Sequence, residues 1–193
     1  MPTAFIPCTV PHWLSRHALT VALLPLLGAG LAAQSPAAPS VTRQRQAMRK
    51  LAYLAGRWSG PISIVKGPGA PLQFTQTEDV QFKLDGLVLL IEGQSTDAQG
   101  KVEFSALATV AFDDATRTYH FRAYNDGRYL DTKLDVTAGG FSWSYTAGPA
   151  RIVNTMHLTP GGDWKEVTEV TVGGRPPQPS VSMLLTRLPQ HQP

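Results

Sequence analysis

Val102-Glu103-Phe104-Ser105-Ala106-Leu107-Ala108-Thr109-Val110-Ala111-Phe112 has a period of two: Val102, Phe104, Ala106, Ala108, Val110 and Phe112 share one parity, and Asp113-Asp114 ends the run. In an extended chain successive side chains point to opposite faces, so the stretch is a strand with one apolar face. The same pattern repeats in both directions. Phe141, Trp143 and Tyr145 alternate with Ser142 and Ser144, and Leu72, Phe74, Val80, Phe82 and Leu84 share a parity upstream. These faces are expected to point inward. Short turn signals, among them Asp85-Gly86, Asp126-Gly127, Gly139-Gly140, Gly148-Pro149, Gly161-Gly162 and Gly173-Gly174, separate the segments and most suit hairpins. The spacing predicts ten strands, at 57 to 65, 72 to 84, 86 to 95, 101 to 113, 116 to 125, 128 to 137, 140 to 146, 150 to 159, 163 to 172 and 179 to 188. One open sheet of that size would expose two long edges, so the expected fold is all-β, an antiparallel up-and-down barrel of about ten strands. Met48, Leu51, Tyr53, Leu54 and Ala55 fall at near-helical spacing before Gly56, which predicts a short N-terminal helix.

The chain has 193 residues, 42% of them hydrophobic and 16% charged. That charge content, with Gly 17 and Pro 16, disfavours a coiled coil or helical bundle. Residues 1 to 33 have the parts of a signal peptide: Arg16 and His17, an apolar run from Leu19 to Leu31, then Ala32 and Ala33 as small cleavage-site residues. That run is shorter than the roughly 20 residues a membrane span needs, and no second long apolar run follows, so no integral span is expected. The domain plan is a signal peptide at 1 to 33, a flexible linker at 34 to 46, a barrel at 47 to 188 and a disordered tail at 189 to 193. The expected compartment is the periplasm or the exterior. The single cysteine, Cys8, is lost with the signal, which excludes disulfides and thiolate chemistry from the mature chain. All 14 acidic residues lie at or after Glu78, with 10 of the 17 basic ones, so the body is mildly acidic and a nucleic-acid partner is not expected. A homodimer is compatible with the sequence.

Polar residues of inward parity are the candidates for chemistry, because burial without a partner costs a few kcal/mol. Gln76 and Glu78 share the face of Phe74 and Val80, and Asn154 lies between Ile152 and Met156. They are read as polar anchors in a cavity walled by Phe74, Trp143 and Tyr145, or else as a structural hydrogen-bond network. Glu78 is also a candidate general base, although the sequence supplies no second catalytic group. The barrel of this size, with small residues such as Ala106 and Ala108 facing inward, should enclose a cavity. The favoured function is binding of a small apolar or amphipathic molecule, without catalysis and without a cofactor. The alternatives are an isomerase or hydrolase using the cavity carboxylate, a haem protein, and a partner-binding module. In the body only His120 and His157 remain, too few for a zinc site, and both share parity with polar neighbours, so both are expected to face outward.

Leu51 to Gly60, Leu-Ala-Tyr-Leu-Ala-Gly-Arg-Trp-Ser-Gly, resembles the opening of the lipocalin-like barrels of the broad calycin group. The resemblance is closest to the bacterial DUF1579 family and more remote to the nitrobindin-like haem barrels, and it covers roughly residues 47 to 188. It implies that a basic residue of the last strand, here Arg187, stacks on the tryptophan of the first, here Trp58, and seals the barrel end. Nitrobindin likeness would imply a ferric haem on a late-strand histidine, but the final strand, 179 to 188, carries none.

Overall fold

The computed structural model describes residues 38 to 189; residues 1 to 33, read as a signal peptide with Cys8 in it, the first four residues of the expected linker and residues 190 to 193 lie outside the described residues. Ten strands follow one another: β1 (Gly56–Ile64), β2 (Leu72–Lys83), β3 (Val88–Thr96), β4 (Val102–Asp113), β5 (Thr118–Asn125), β6 (Arg128–Thr137), β7 (Gly140–Ala147), β8 (Ala150–Leu158), β9 (Trp164–Val172) and β10 (Gln178–Arg187). Each pairs antiparallel with its sequence neighbour, and β1 pairs with β10, so the sheet closes into a barrel. Closure gives every strand two neighbours, although β6 and β7 pair only where Leu134 to Thr137 meets Gly140 to Trp143. At the seam Trp58 stands opposite Arg187 and Ile62 opposite Met183. The β5–β6 hairpin turns in two residues, as β6–β7 and β7–β8 also do: Asn125 pairs with Arg128 across Asp126-Gly127, both at positive φ (48° and 72°). That backbone matches the right-handed twist of the two strands.

The alternating faces point inward as the period-two pattern requires, but Leu72, Leu84, Val102, Phe104 and Tyr145, all expected to be covered, are exposed, Leu72 and Tyr145 near the open end of the barrel. Leu84, expected on the inner face of the second strand, is 71% exposed and adopts φ 50° in the turn after β2. Val102 and Phe104 keep the inward parity but are exposed, because that end of the barrel is open.

The other end is plugged. Helix α1 (Val41–Met48) continues directly into a 3-10 helix over Arg49–Leu54, so helical structure begins before the stretch from Met48 to Ala55 that the sequence marked. Residues 41 to 46, read as the end of a flexible linker, are helical instead. Local and distant contacts explain this. Ser40 caps the helix by accepting from the Arg43 amide, its own amide donates to Asp114, and Tyr119 Oη donates to the Ala47 carbonyl at 2.8 Å. Arg43 pairs with Asp114 and Arg45 with Asp85, which ties the helix to the turns after β4 and β2. Met48, Leu51 and Leu54 are fully buried beside Trp58, closing that end with apolar side chains rather than with the surface ion pairs, which contribute little.

Trp58 sits between the plug and the barrel interior. It is 1% exposed, its Nε1 donates to the Leu54 carbonyl at 2.8 Å, and its ring meets Trp164 edge to face at 5.7 Å. The Arg187 guanidinium lies 4.0 Å from the Trp58 ring centroid and donates to the carbonyls of Tyr53 and Ala55. One side chain thereby satisfies two carbonyls at the end of the 3-10 helix and covers an indole face. The Tyr53 hydroxyl, buried without a partner among the described residues, is pushed up to about 12 by that burial.

Candidate functional site

On β2 the inward parity passes through Gln76, Glu78 and Val80, all buried. Glu78 faces Trp58 on β1 and Gly93 on β3. A Cβ at position 93 would lie 2.8 Å from Glu78 Oε2 and 3.1 Å from Gln76 Nε2, so the missing side chain is what lets the carboxyl and amide lie against this wall. Gln76 Nε2 donates to Glu78 Oε1 at 2.7 Å, and Ser95 Oγ donates to Gln76 Oε1. Among the described residues no group donates to Glu78 Oε2. Burial lifts the Glu78 carboxyl from an ordinary 4.5 to about 8; the Gln76 hydrogen bond opposes the rise and the negative charge of Glu166 adds to it. Each effect has the expected sign, since a low dielectric disfavours the charged form and a donor favours it.

Glu166 is the group that sequence reasoning missed. On β9 it shares the inward parity of Trp164 and Thr168 and stands opposite Met156 and Met183. Asn154 Nδ2 donates to its Oε1 at 2.7 Å and Trp164 Nε1 to its Oε2 at 2.8 Å. Burial again raises its pKa, against these two donors. Asn154 also donates to Thr168 Oγ1 at 3.0 Å, while its own buried Oδ1 has no partner among the described residues.

Both carboxyls line a cavity of about 670 Å³ that reaches the open end of the barrel past Phe104, Tyr129 and Tyr145. A volume of this size is in the range of small-molecule sites, roughly 300 to 1,000 Å³. One wall is a row of aromatic faces: Phe121 stacks on Trp143 at 5.3 Å and 14°, and Trp143 on Tyr145 at 6.0 Å and 23°. A second concavity, about 690 Å³ around Glu92, Gln94, Ser105 and Tyr124, is slightly larger. Those four side chains are exposed on the outer face of the sheet, and we regard it as a surface groove.

Of the residues expected to form the site, Gln76, Glu78, Trp143 and Tyr145 line this cavity together. Phe74 does not; it is half-buried against the core cluster and stands opposite Ile62 on β1. Asn154 does not line it either: it stands behind Glu166, orienting that carboxylate from a position 2% exposed. A polar residue at inward parity therefore marks the interior without distinguishing the cavity surface from the layer that supports it.

No family model and no curated protein matches the chain. A solved structure does. Rv2717c from M. tuberculosis superposes with a TM-score of 0.56 at 14% identity, over 74% of this chain and 98% of that one. At that identity the likeness is one of fold, a ten-strand antiparallel barrel. The DUF1579 and calycin likeness stays a resemblance carried by the Gly56-Arg57-Trp58 segment and Arg187.

Haem, which nitrobindin likeness would imply, does not fit the donor set. Among the described residues that line the cavity there is no histidine. His120 and His157 are both on the outer face; His120 lies 3.3 Å from Thr118 Oγ1 and 4.0 Å from Asp113. A five-coordinate haem needs an imidazole aimed into an apolar pocket. Titrating hemin into the protein is therefore expected to give no saturable one-to-one Soret band, and one that vanishes in His120→Ala would overturn the assignment of that strand's faces.

Proposed function

We propose that this barrel binds a small molecule with an apolar, flat body, held against the Phe121–Trp143–Tyr145 row and anchored by the carboxyls at depth. The observation that carries the reading is the aromatic-walled cavity of about 670 Å³, closed at one end by the helical plug and open at the other. Apolar walls with a few convergent polar groups are the usual composition of such sites. The reading takes the chain as an exported binding protein: the signal-like residues 1 to 33 direct it to the periplasm or exterior, and the barrel works there after cleavage. Among the described residues no helix is long and apolar enough to cross a membrane.

The Glu78–Glu166 pair supports a second reading, an isomerase or hydrolase, because Glu166 is the second group an acid–base mechanism based on Glu78 would require. The binding reading is preferred because the aromatic row forms a continuous wall, which recognition of an intact molecule needs and proton transfer does not. Nile red, a neutral apolar dye, is expected to bind one to one with a saturable rise in fluorescence. Ala106→Phe, which fills the space between Gly93 and the aromatic row, should weaken it at least about tenfold, a loss of roughly 1.4 kcal/mol. Absence of saturation in the parent protein would rule the reading out.

A further inference from the structure

The two carboxyls at depth have neutral partners. Glu166 accepts from an amide and an indole, and Glu78 from one amide, with Oε2 left without a donor among the described residues. Among the described residues that line the cavity the cation is Arg128. It stands at the mouth with its side chain 81% exposed, 3.8 Å from Asp126. The groups facing Glu78 are Trp58 from β1, Gln76 on its own strand, Gly93 from β3 and Glu166 from β9. Arg187 lies over the Trp58 ring, but its guanidinium is engaged by the Tyr53 and Ala55 carbonyls. Among the described residues, therefore, no group of positive charge answers the acids inside the barrel.

Buried carboxyls without a cation oppose each other and the apolar surroundings. A ligand that brings the cation removes that conflict. The walls suit the same ligand, since the negative faces of stacked aromatic rings attract positive charge, most strongly where water is excluded. Resting on the binding reading of this cavity, we propose that its ligand is an organic monocation, a protonated amine that donates to the Glu78 and Glu166 carboxyls while its flat apolar body lies along Phe121, Trp143 and Tyr145.

Proton linkage gives this a signature. Glu78 titrates near 8, so below that pH it must release a proton when it receives an ammonium group. Affinity for an amine that is itself fully protonated should then tighten by up to about tenfold per pH unit between pH 6 and 7.5 and level off above 8.

The test compares three probes of one shape by isothermal calorimetry: 2-(1-naphthyl)ethylamine, 2-(1-naphthyl)ethanol and 1-naphthylacetate. The amine is expected to bind at least about tenfold more tightly than the alcohol at pH 8, the acetate least, and only the amine should show a steep rise with pH. Phosphate and Tris buffers should report net proton release on amine binding at pH 7. In Glu78→Gln the ratio of amine to alcohol affinity should fall toward one, a change in preference that general loss of fold does not produce. An alcohol or acetate that binds as tightly as the amine overturns the cation assignment and leaves the binding reading standing if Nile red saturates. An amine preference unchanged in Glu78→Gln overturns it equally. If neither the probes nor Nile red bind, the binding reading itself falls.

Discussion

Trp58→Ala should melt about 10 °C below the parent protein. The indole is 1% exposed, packed between the helical plug and Trp164, and hydrogen-bonded to the Leu54 carbonyl. Removing a buried tryptophan costs about 3 to 5 kcal/mol through lost transfer energy and the cavity left behind. In a domain of this size each kcal/mol lowers the melting temperature by about 2 to 4 °C. Arg187→Ala should lower it less, by about 1 to 2 kcal/mol, because the guanidinium is partly solvated although it touches the Trp58 ring and two carbonyls. Trp58→Phe should fall between the two, since it keeps much of the volume and loses the Nε1 hydrogen bond. Calorimetric melting of the three variants checks the order. If Trp58→Ala melts like the parent, the closed end is not held by this indole.

The barrel was legible because each strand repeats one local rule. On β4 and β7 the alternation of large apolar with small or polar residues is unambiguous, and turn pairs such as Asp126-Gly127 mark where the chain reverses. Residues near each boundary depend on pairing, so Leu84 was assigned to a face when its backbone belongs to a turn. The extent of the helical segment was less legible, because α1 buries a single side chain, Met48, and is fixed by Asp114 and Tyr119 far along the chain. The same limit hid Glu166. On Trp164-Lys165-Glu166-Val167-Thr168-Glu169 both parities carry a glutamate, so local alternation does not choose a face. Pairing with β8 and β10 does, by placing Glu166 beside Met156 and Met183. Gln76 and Glu78 were found because Phe74 and Val80 flank them with apolar residues of the same parity. Nothing local signals that Gly93 opposite makes room for their side chains, since only the strand register brings that glycine to the carboxyl.

Glu78→Gln should make the protein more stable in alkali and flatten its response to pH. In the folded protein Glu78 titrates near 8, against an ordinary 4.5 for an exposed glutamate. Between those values the folded state holds a proton that the unfolded chain has released, so stability falls as pH rises. The stabilising contribution is fully present below about 4.5 and is gone once pH passes 8. Each pH unit in that window corresponds to about 1.4 kcal/mol, so the parent should lose on the order of 3 to 5 kcal/mol between pH 4.5 and pH 9 from this one group. Glutamine has nearly the same shape, its carbonyl can accept the Gln76 hydrogen bond, and it does not ionise. The variant should match the parent near pH 4.5 and exceed it at pH 9 by most of that difference. Glu166 is shifted in the same direction by burial, which leaves a smaller downward slope in Glu78→Gln and a nearly flat profile in Glu78→Gln/Glu166→Gln. Urea denaturation at pH 5, 7 and 9 measures this. A parent whose stability rises with pH across that range would mean that Glu78 is ionised in the folded barrel and that a cationic partner already meets it.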